Sequence, residues 1–418
     1  MNNTFSNDDA GHYRGAWLEL DHAAISNNAS YLKSFAPQSE LCAVVKAKGY
    51  GHGAIGAALG AINGGASVLA VALVEEGIEL RKAGIVDPIL LLSQPPIESL
   101  EYCIGWGLIP TITSPDALLA LENLDVEWEE YFKDASKGQL SRSSKFGRIL
   151  DHKVPIHIKV ETGMNRAGAA MEVAFDLSVR AARSNKVYLD GLWTHLATAD
   201  ENDQEISNTQ IERFSEFEKD LAATLGFRPK THISNTAATI ALPESRRDLV
   251  RCGIGIYGYF PSSNVERIAA SSGKPGSLVP ALSLKARISM IKEVKPNEGI
   301  SYGHIYVANS LALIATVPVG YADGVPRVIG SNSSNGSVLI RGQRCPIRGW
   351  VTMDQLMVDV TGLKGSVEVG DEVVLIGSMQ GEAIYADEWA RLANTIVYEI
   401  LIHMANRLQI RPGQYSPN

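Results

Sequence analysis

Between about residues 40 and 260 the chain alternates short apolar runs with stretches of helical periodicity. The apolar runs fall at 41–46, 67–72, 88–93, 108–113, 155–160, 188–195, 231–234 and 249–256. They are apolar throughout and not alternating, which predicts strands buried on both faces, as in a parallel sheet covered by helices. Stretches such as 74–83, 171–183 and 203–225 read as the covering helices. Eight such units predict an α/β fold of the (β/α)8 barrel type. An open, doubly wound sheet is the structural rival, and the count of eight favours the barrel.

Beyond the eighth unit the pattern changes. A Ser/Gly/Pro connector at 271–277 gives way to Leu282, Leu284, Ala286, Ile288 and Met290, which alternate with Ser283, Lys285, Arg287 and Ser289. That period of two predicts a half-buried strand. Further runs at 311–319, 337–341, 356–360 and 372–376, separated by Gly-rich turns, predict a smaller, mainly antiparallel β domain. A helix at 386–393 and a more hydrophobic run at 396–408 close the chain. The expected division is a barrel over 13–270 and a β domain over 278–418. A charged, serine-rich surface insertion is expected at 125–148, with no chemistry assigned to it.

Composition narrows the function classes. The formal net charge of −8 over 418 residues argues against a nucleic-acid or anionic-membrane partner. No stretch approaches the length of a membrane span, and residues 1–15 show no apolar segment of a secretory signal, so a cytoplasmic location is expected. Four widely spaced cysteines (Cys42, Cys103, Cys252, Cys345) fit no metal-ligand pattern. They read as small buried hydrophobes in a reducing compartment, and no metal is expected.

Candidate chemistry begins at Lys46, where an apolar strand runs into the glycine-rich loop Ala47-Lys48-Gly49-Tyr50-Gly51. Partial burial there disfavours the ammonium, and a neutral amine can attack a carbonyl. Taken locally, such a lysine more often reaches out into water. The whole string A-V-V-K-A-K-G-Y-G-H-G (residues 43–53) resembles the pyridoxal-phosphate attachment site of bacterial alanine racemases. That resemblance implies that Lys46 carries the cofactor and Tyr50 contacts its phosphate. Lys48, unusual for the family at that position, is the rival for attachment, but should already lie in the loop.

Further segments carry the same resemblance. H-I-K-V-E-T-G-M-N-R-A-G (157–168) implies that Arg166 faces the substrate carboxylate and that Lys159 is carbamylated to brace it, with Glu161 replacing the commoner aspartate. W-T-H-L-A-T-A-D (193–200) implies a supporting role for His195 beside the cofactor. S-N-T-A-A (234–238) and L-V-R-C-G-I-G (249–255) imply phosphate and pyridine contacts from Asn235, Thr236, Arg251 and the N–H groups of Gly253 and Ile254. An arginine cannot accept the pyridine proton, so the ring nitrogen should stay neutral. In the β domain, I-S-Y-G-H (300–304) implies that Tyr302 is the second catalytic base. G-Y-A-D-G (320–324) and V-T-M-D-Q (351–355) imply that Tyr321, Met353 and Asp354 enter the barrel of a partner in a head-to-tail homodimer. Tyr398 matches a residue near the phosphate that limits substrate size.

The resemblance covers nearly the whole chain and implies interconversion of L- and D-alanine, supplying D-alanine for peptidoglycan. A serine or broad-specificity racemase keeps the chemistry and changes the pocket. A non-catalytic pyridoxal-phosphate carrier is a different class. Such carriers lack the β domain, so Ser301-Tyr302-Gly303 weighs against that reading.

Overall fold

The computed structural model describes residues 14–124, 153–331, 333–363, 367–404 and 407–412. The insertion expected at 125–148 lies outside them. The described residues form two compact units. One comprises Ala23–Gly49 and Ala54–Val279; the other comprises the described parts of Met1–His22, Tyr50–Gly53 and Pro280–Asn418.

In chain order the strands begin with β1 (Ala16–Leu20), followed by β2 (Glu40–Val44), β3 (Val68–Val71), β4 (Ile89–Leu91) and β5 (Thr111–Ile112). Next come β6 (Val154–Lys159), β7 (Val187–Trp193), β8 (Lys230–His232) and β9 (Leu249–Cys252). Strands β2 to β9 build the first unit. They form two parallel four-stranded sheets, β4-β3-β2-β9 and β5-β6-β7-β8. A parallel bridge between Leu90 and Ile109 joins β4 to β5. Asp248 N–H donates to Thr231 O at 3.1 Å and Arg251 N–H to Ser234 O at 2.9 Å, which joins β8 to β9. The eight strands therefore close into the expected barrel. Leu41, Cys42, Ala43, Leu69, Ala70 and Val71 are all fully buried, because one strand face meets the barrel interior and the other meets helices.

The covering helices bury one stripe each. In the helix Met171–Arg183 the buried positions are Ala174, Leu177, Ser178 and Ala181, a spacing of three and four that keeps them on one face. In Glu205–Leu225 the same spacing runs from Ser207 to Leu221, and Gly226, left-handed at φ 77°, ends the helix.

Strand β1 falls inside the stretch assigned to the barrel from sequence, yet it pairs in the second unit. There it lies antiparallel to β10 (Leu282–Arg287) and parallel to the last strand. The remaining strands are β11 (Met290–Val294), β12 (Gly299–Ile300), β13 (Tyr306–Val307), β14 (Ala312–Val317), β15 (Ser337–Ile340) and β16 (Gln343–Pro346). They continue with β17 (Leu356–Asp359), β18 (Glu372–Met379), β19 (Glu382–Ile384) and β20 (Gln409–Pro412). The main sheet has the order β16-β15-β18-β10-β1-β20, with β19 paired to β18. The order β11-β14-β17 makes a second, antiparallel sheet.

The alternating run 282–290, read as one strand, is two strands in two sheets. Ile288 N–H still donates to Asp371 O at 3.0 Å, but Ser289 N–H donates to Thr316 O at 2.9 Å, so the chain crosses between sheets there. Met290, expected on the buried face, is 54% exposed. Among the described residues no helix is long and apolar enough to cross a membrane. All four cysteines are free and buried.

Candidate active site

The site residues expected in the first unit lie at or just beyond the C-terminal ends of its parallel strands, the end at which barrel enzymes keep their sites. Lys46 follows β2, Lys159 ends β6, His195 follows β7, Asn235 and Thr236 follow β8, and Arg251 to Ile254 span the end of β9.

After Lys46 the backbone turns left-handed at five successive residues: Ala47 (φ 52°), Lys48 (φ 53°), Gly49 (φ 61°), Tyr50 (φ 49°) and Gly51 (φ 85°). Left-handed backbone costs roughly 1–2 kcal/mol per non-glycine residue, so the turn needs fixed anchors. Gly49 N–H donates to Val45 O at 2.9 Å. The Glu76 carboxylate accepts from the N–H groups of Ala47 (2.6 Å), Ala72 (2.8 Å) and Leu73 (3.2 Å). Lys46 emerges half-buried, whereas Lys48 is exposed. Burial, and then the charge of Arg166, hold the Lys46 amine below its ordinary pKa, with Glu76 pulling the other way.

Lys159 is almost fully buried, and its Nζ sits 4.5 Å from the centre of the Trp193 ring. The Arg251 guanidinium lies 4.6 Å from the same ring. Burial first, then Arg166 and Arg251, push the Lys159 pKa down to about 8. His195 is pushed well below the usual histidine range by burial and by Arg251, Arg166, Lys159 and Lys46, so it is neutral at pH 7.

Arg166 sits at the tip of the loop after β6, organised by Glu161. Burial raises the Glu161 pKa, but backbone N–H bonds from Asn165, Gly163, Met164 and Arg166 outweigh it and hold the carboxyl below its ordinary value. The Gly163 bond is 2.7 Å. A depressed carboxyl pKa contributes stability that is present above the unfolded value near 4.5 and lost as pH falls through the folded one. Glu161→Gln should therefore lower the thermal midpoint at pH 7, with the gap to the parent closing in acid. A midpoint difference that persists unchanged well below pH 4 would contradict this role (roughly the unperturbed carboxyl range).

Asn235 caps the short helix Thr236–Ala241, its Oδ1 accepting from Ala238 N–H at 3.0 Å. The Gly253 N–H, expected from sequence as a phosphate donor, instead donates to Thr236 Oγ1 at 3.0 Å. Arg251 is fully enclosed, with a pKa lowered to about 10 by burial, so it remains a cation at pH 7. Sequence reasoning passed over Gln210, whose side chain donates to His195 O at 3.0 Å and Thr162 Oγ1 at 3.2 Å and accepts from Ala197 N–H at 2.8 Å. It ties the β6 and β7 loops together. As one polar residue on a helix face, it carries no sequence signal.

Lys46, Lys159, Arg166 and Arg251 thus concentrate positive charge on a protein whose net charge is −8. Glu76 and Glu161, the two carboxylates acting on them, are committed to backbone N–H groups. The chemistry of this donor set suits a multiply anionic ligand. Among the described residues no cluster of His, Cys, Asp or Glu is arranged to hold a metal.

The second unit carries its own group of predicted residues. Tyr302 projects from the turn between β12 and β13 and is 72% exposed. That turn uses left-handed backbone at Ser301 (φ 64°) and Gly303 (φ 70°), and Ser301 Oγ donates to Trp350 O at 2.7 Å. The strings at 320–324 and 351–355 lie together: Tyr321 and Ala322 N–H donate to Thr352 and Met353 O, both at 3.0 Å. A Cβ at Gly320 would lie 2.3 Å from each of those oxygens, so only glycine permits this approach. Asp354 accepts from Arg407 Nη1 at 2.9 Å, and Arg14 grips the buried Asp323 with two bonds of 2.5 Å. Neither arginine was predicted from sequence. The rings of Tyr50 and Tyr398 are 6.0 Å apart.

Comparisons with known proteins agree over both units. Residues 20–261 match the family description "Alanine racemase, N-terminal domain", and residues 281–411 match "Alanine racemase, C-terminal domain". The chain is 41% identical to an alanine racemase of Symbiobacterium thermophilum, covering 94% of this chain and 96% of the relative. It is 39% identical to alanine racemase 2 of Bacillus subtilis, covering 96% of each. The crystal structure of alanine racemase from E. faecalis superposes with a TM-score of 0.79 at 32% identity, over 96% of this chain and 99% of that one. The Bacillus anthracis enzyme with bound L-Ala-P gives 0.78 at 33% identity, over 96% of each chain. This chain belongs to the alanine racemase family.

Proposed function

We propose that this protein interconverts L- and D-alanine using pyridoxal phosphate, with Lys46 and Tyr302 as the two acid–base groups. The observation that carries the reading is the half-buried Lys46 at the barrel mouth, its amine pKa depressed by burial and by Arg166. The chain's own residues fit the cofactor, because Lys46, Lys159, Arg166 and Arg251 gather positive charge while Glu76 and Glu161 are committed to backbone N–H groups. When bound, the cofactor supplies a conjugated ring that acidifies the α-C–H of an attached amino acid.

Lys46 Nζ would hold the cofactor, and as an acid–base group its amine would move the proton on the D side. Tyr302 Oη moves the proton on the opposite, L side. Arg166 holds the substrate carboxylate. Arg251 offers only N–H donors, so it keeps the pyridine nitrogen unprotonated. An unprotonated ring would be a weaker electron sink, which would favour reprotonation over side reactions. The Thr236 hydroxyl and Ile254 N–H would receive the phosphate, and Asn235 and Gly253 hold that loop in shape. His195 is neutral, with its Nδ1 3.4 Å from Arg251 Nη2.

Tyr302, Met353 and Tyr321 are all well exposed in the single chain, as is Asp354, which supports their use in a second copy's barrel. The working protein is accordingly a homodimer with shared sites. All four cysteines are free and buried, which supports a reducing, cytoplasmic setting.

Lys159, with a pKa near 8, is largely a neutral amine in mild alkali. Attack of its nitrogen on CO2 with loss of one proton gives a carbamate, an anion able to brace Arg166 bidentately. Under 13C-labelled bicarbonate, a carbamate resonance absent from Lys159→Ala should grow as pH rises through 8 and vanish in acid. A pH-independent spectrum, or no carbamate, would contradict this.

The function is tested by incubating the protein with L-alanine and the cofactor and separating enantiomers by chiral chromatography. Mirror-image molecules have equal free energy, so equal amounts are expected at the end point; no D-alanine would overturn the reading. L-Serine in parallel measures breadth, since one small group is worth only about 1–3 kcal/mol of discrimination.

A further inference from the structure

Behind Arg251 a line of three buried or nearly buried side chains runs away from the ligand space. Arg251 Nη1 lies 2.8 Å from His232 Nδ1, His232 Nε2 lies 2.9 Å from His157 Nδ1, and His157 Nε2 lies 3.1 Å from Asp190 Oδ2. Guanidinium is donor-only, so His232 Nδ1 must present its lone pair. The hydrogen of His232 is then on Nε2 and is donated to His157. His157 in turn carries its hydrogen on Nε2 and gives it to the Asp190 carboxylate. One end being donor-only and the other acceptor-only, the line has a single allowed direction.

The fold makes specific provision for this line. The pairing of β6 with β7 steps from Ile156–Leu189 to His157–Gly191, leaving Asp190 as the extra residue of a bulge. Bulges of this kind re-aim a side chain. Gly191 leaves room for the imidazole: a Cβ there would lie 2.6–2.9 Å from three ring atoms of His157. Trp193 stacks on His232 at 5.6 Å with the planes 9° apart, fixing that ring.

Arg251 is fixed in turn. Nη1 donates to His232 Nδ1 and His232 O, while Nη2 donates to Thr194 O (2.8 Å) and Ile233 O (3.1 Å), with His195 Nδ1 at 3.4 Å. Nε–H is the donor left without an acceptor among the described residues. We propose that Asp190 is a positioning residue for the racemase reaction: through His157 and His232 it sets the roll of the Arg251 guanidinium, so that Nε–H is the donor offered to the cofactor ring. This rests on the racemase reading above. Burial and the neighbouring Arg251 push His232 well below the usual histidine range, so it stays neutral and keeps the acceptor nitrogen that the line requires.

The test combines 15N imidazole NMR on the holoenzyme with kinetics of Asp190→Asn and Asp190→Glu. His157 and His232 are expected as Nε2–H tautomers with bare Nδ1. An amide at 190 accepts more weakly than a carboxylate, so it holds the His157 Nε2–H less firmly and loosens the line up to Arg251. D190N should therefore shift the 15N resonances of His157 and His232 and lower kcat on the order of tenfold to a hundredfold, with the cofactor still bound. D190E should restore most of both. Nδ1–H on either imidazole of the parent protein would overturn the proposal, and that spectrum needs no variant to fold. So would D190N turning over at the parental rate with His232 unchanged. Because the tautomers are read without turnover, failure of the racemase reading would show separately, as the expected tautomers in a protein that forms no D-alanine.

Discussion

Lys46→Ala is expected to lower racemisation by at least about 10⁴-fold. A positioned acid–base group contributes roughly 10²–10⁴ by itself, and this substitution also removes the nucleophile that anchors the cofactor. Burial and Arg166 favour the neutral amine at this position, which is the form that attacks a carbonyl and removes a proton. Lys48, exposed on the left-handed turn, provides the internal control. Its replacement by alanine should leave the rate within about threefold, as for surface changes worth about 0.5 kcal/mol. Reducing the cofactor adduct with borohydride and mapping peptides by mass should place the label on Lys46. A label on Lys48, or a K46A protein of parental activity, would contradict the assignment.

Tyr302→Phe should cost roughly 10²–10⁴ in racemisation while leaving the cofactor bound. The phenol carries one of the two proton transfers, so its loss is expected to be asymmetric. The enantiomer deprotonated by Lys46 should still exchange its α-hydrogen with solvent, without inverting at an appreciable rate. The side chain is 72% exposed on a tight turn held by Ser301 and Trp350, so removing one hydroxyl should leave thermal stability near the parental value. Activity within tenfold of the parent would remove Tyr302 from the chemistry.

The barrel was legible because its strands are apolar on both faces, a pattern few other arrangements require. The catalytic strings were legible because each attachment or loop geometry restricts several adjacent residues together, as at 43–53 and 157–168. Where two sheets share one alternating run, at 282–290, period alone could not reveal the crossover at Ser289. Strand β1 was misplaced for a related reason: its pairing with β10 and β20 depends on residues more than 260 positions away. Left-handed backbone at Ala47, Lys48 and Tyr50 has no local signature, since none is a residue that favours it. The line from Asp190 to Arg251 was invisible because its partners lie 33, 75 and 19 residues apart in sequence. A histidine within an apolar strand gives no hint of which side chain will satisfy it.

The central claim is two-base inversion at the α-carbon, and the most direct measurement is L-alanine in deuterated water, followed by NMR for α-hydrogen loss and by chiral chromatography for D-alanine. Two bases on opposite faces predict that D-alanine forms carrying deuterium at the α-carbon, at a rate matched by loss of the L-alanine α-proton. Exchange that proceeds with retention and yields no D-alanine would contradict the account, leaving one competent base where two are claimed.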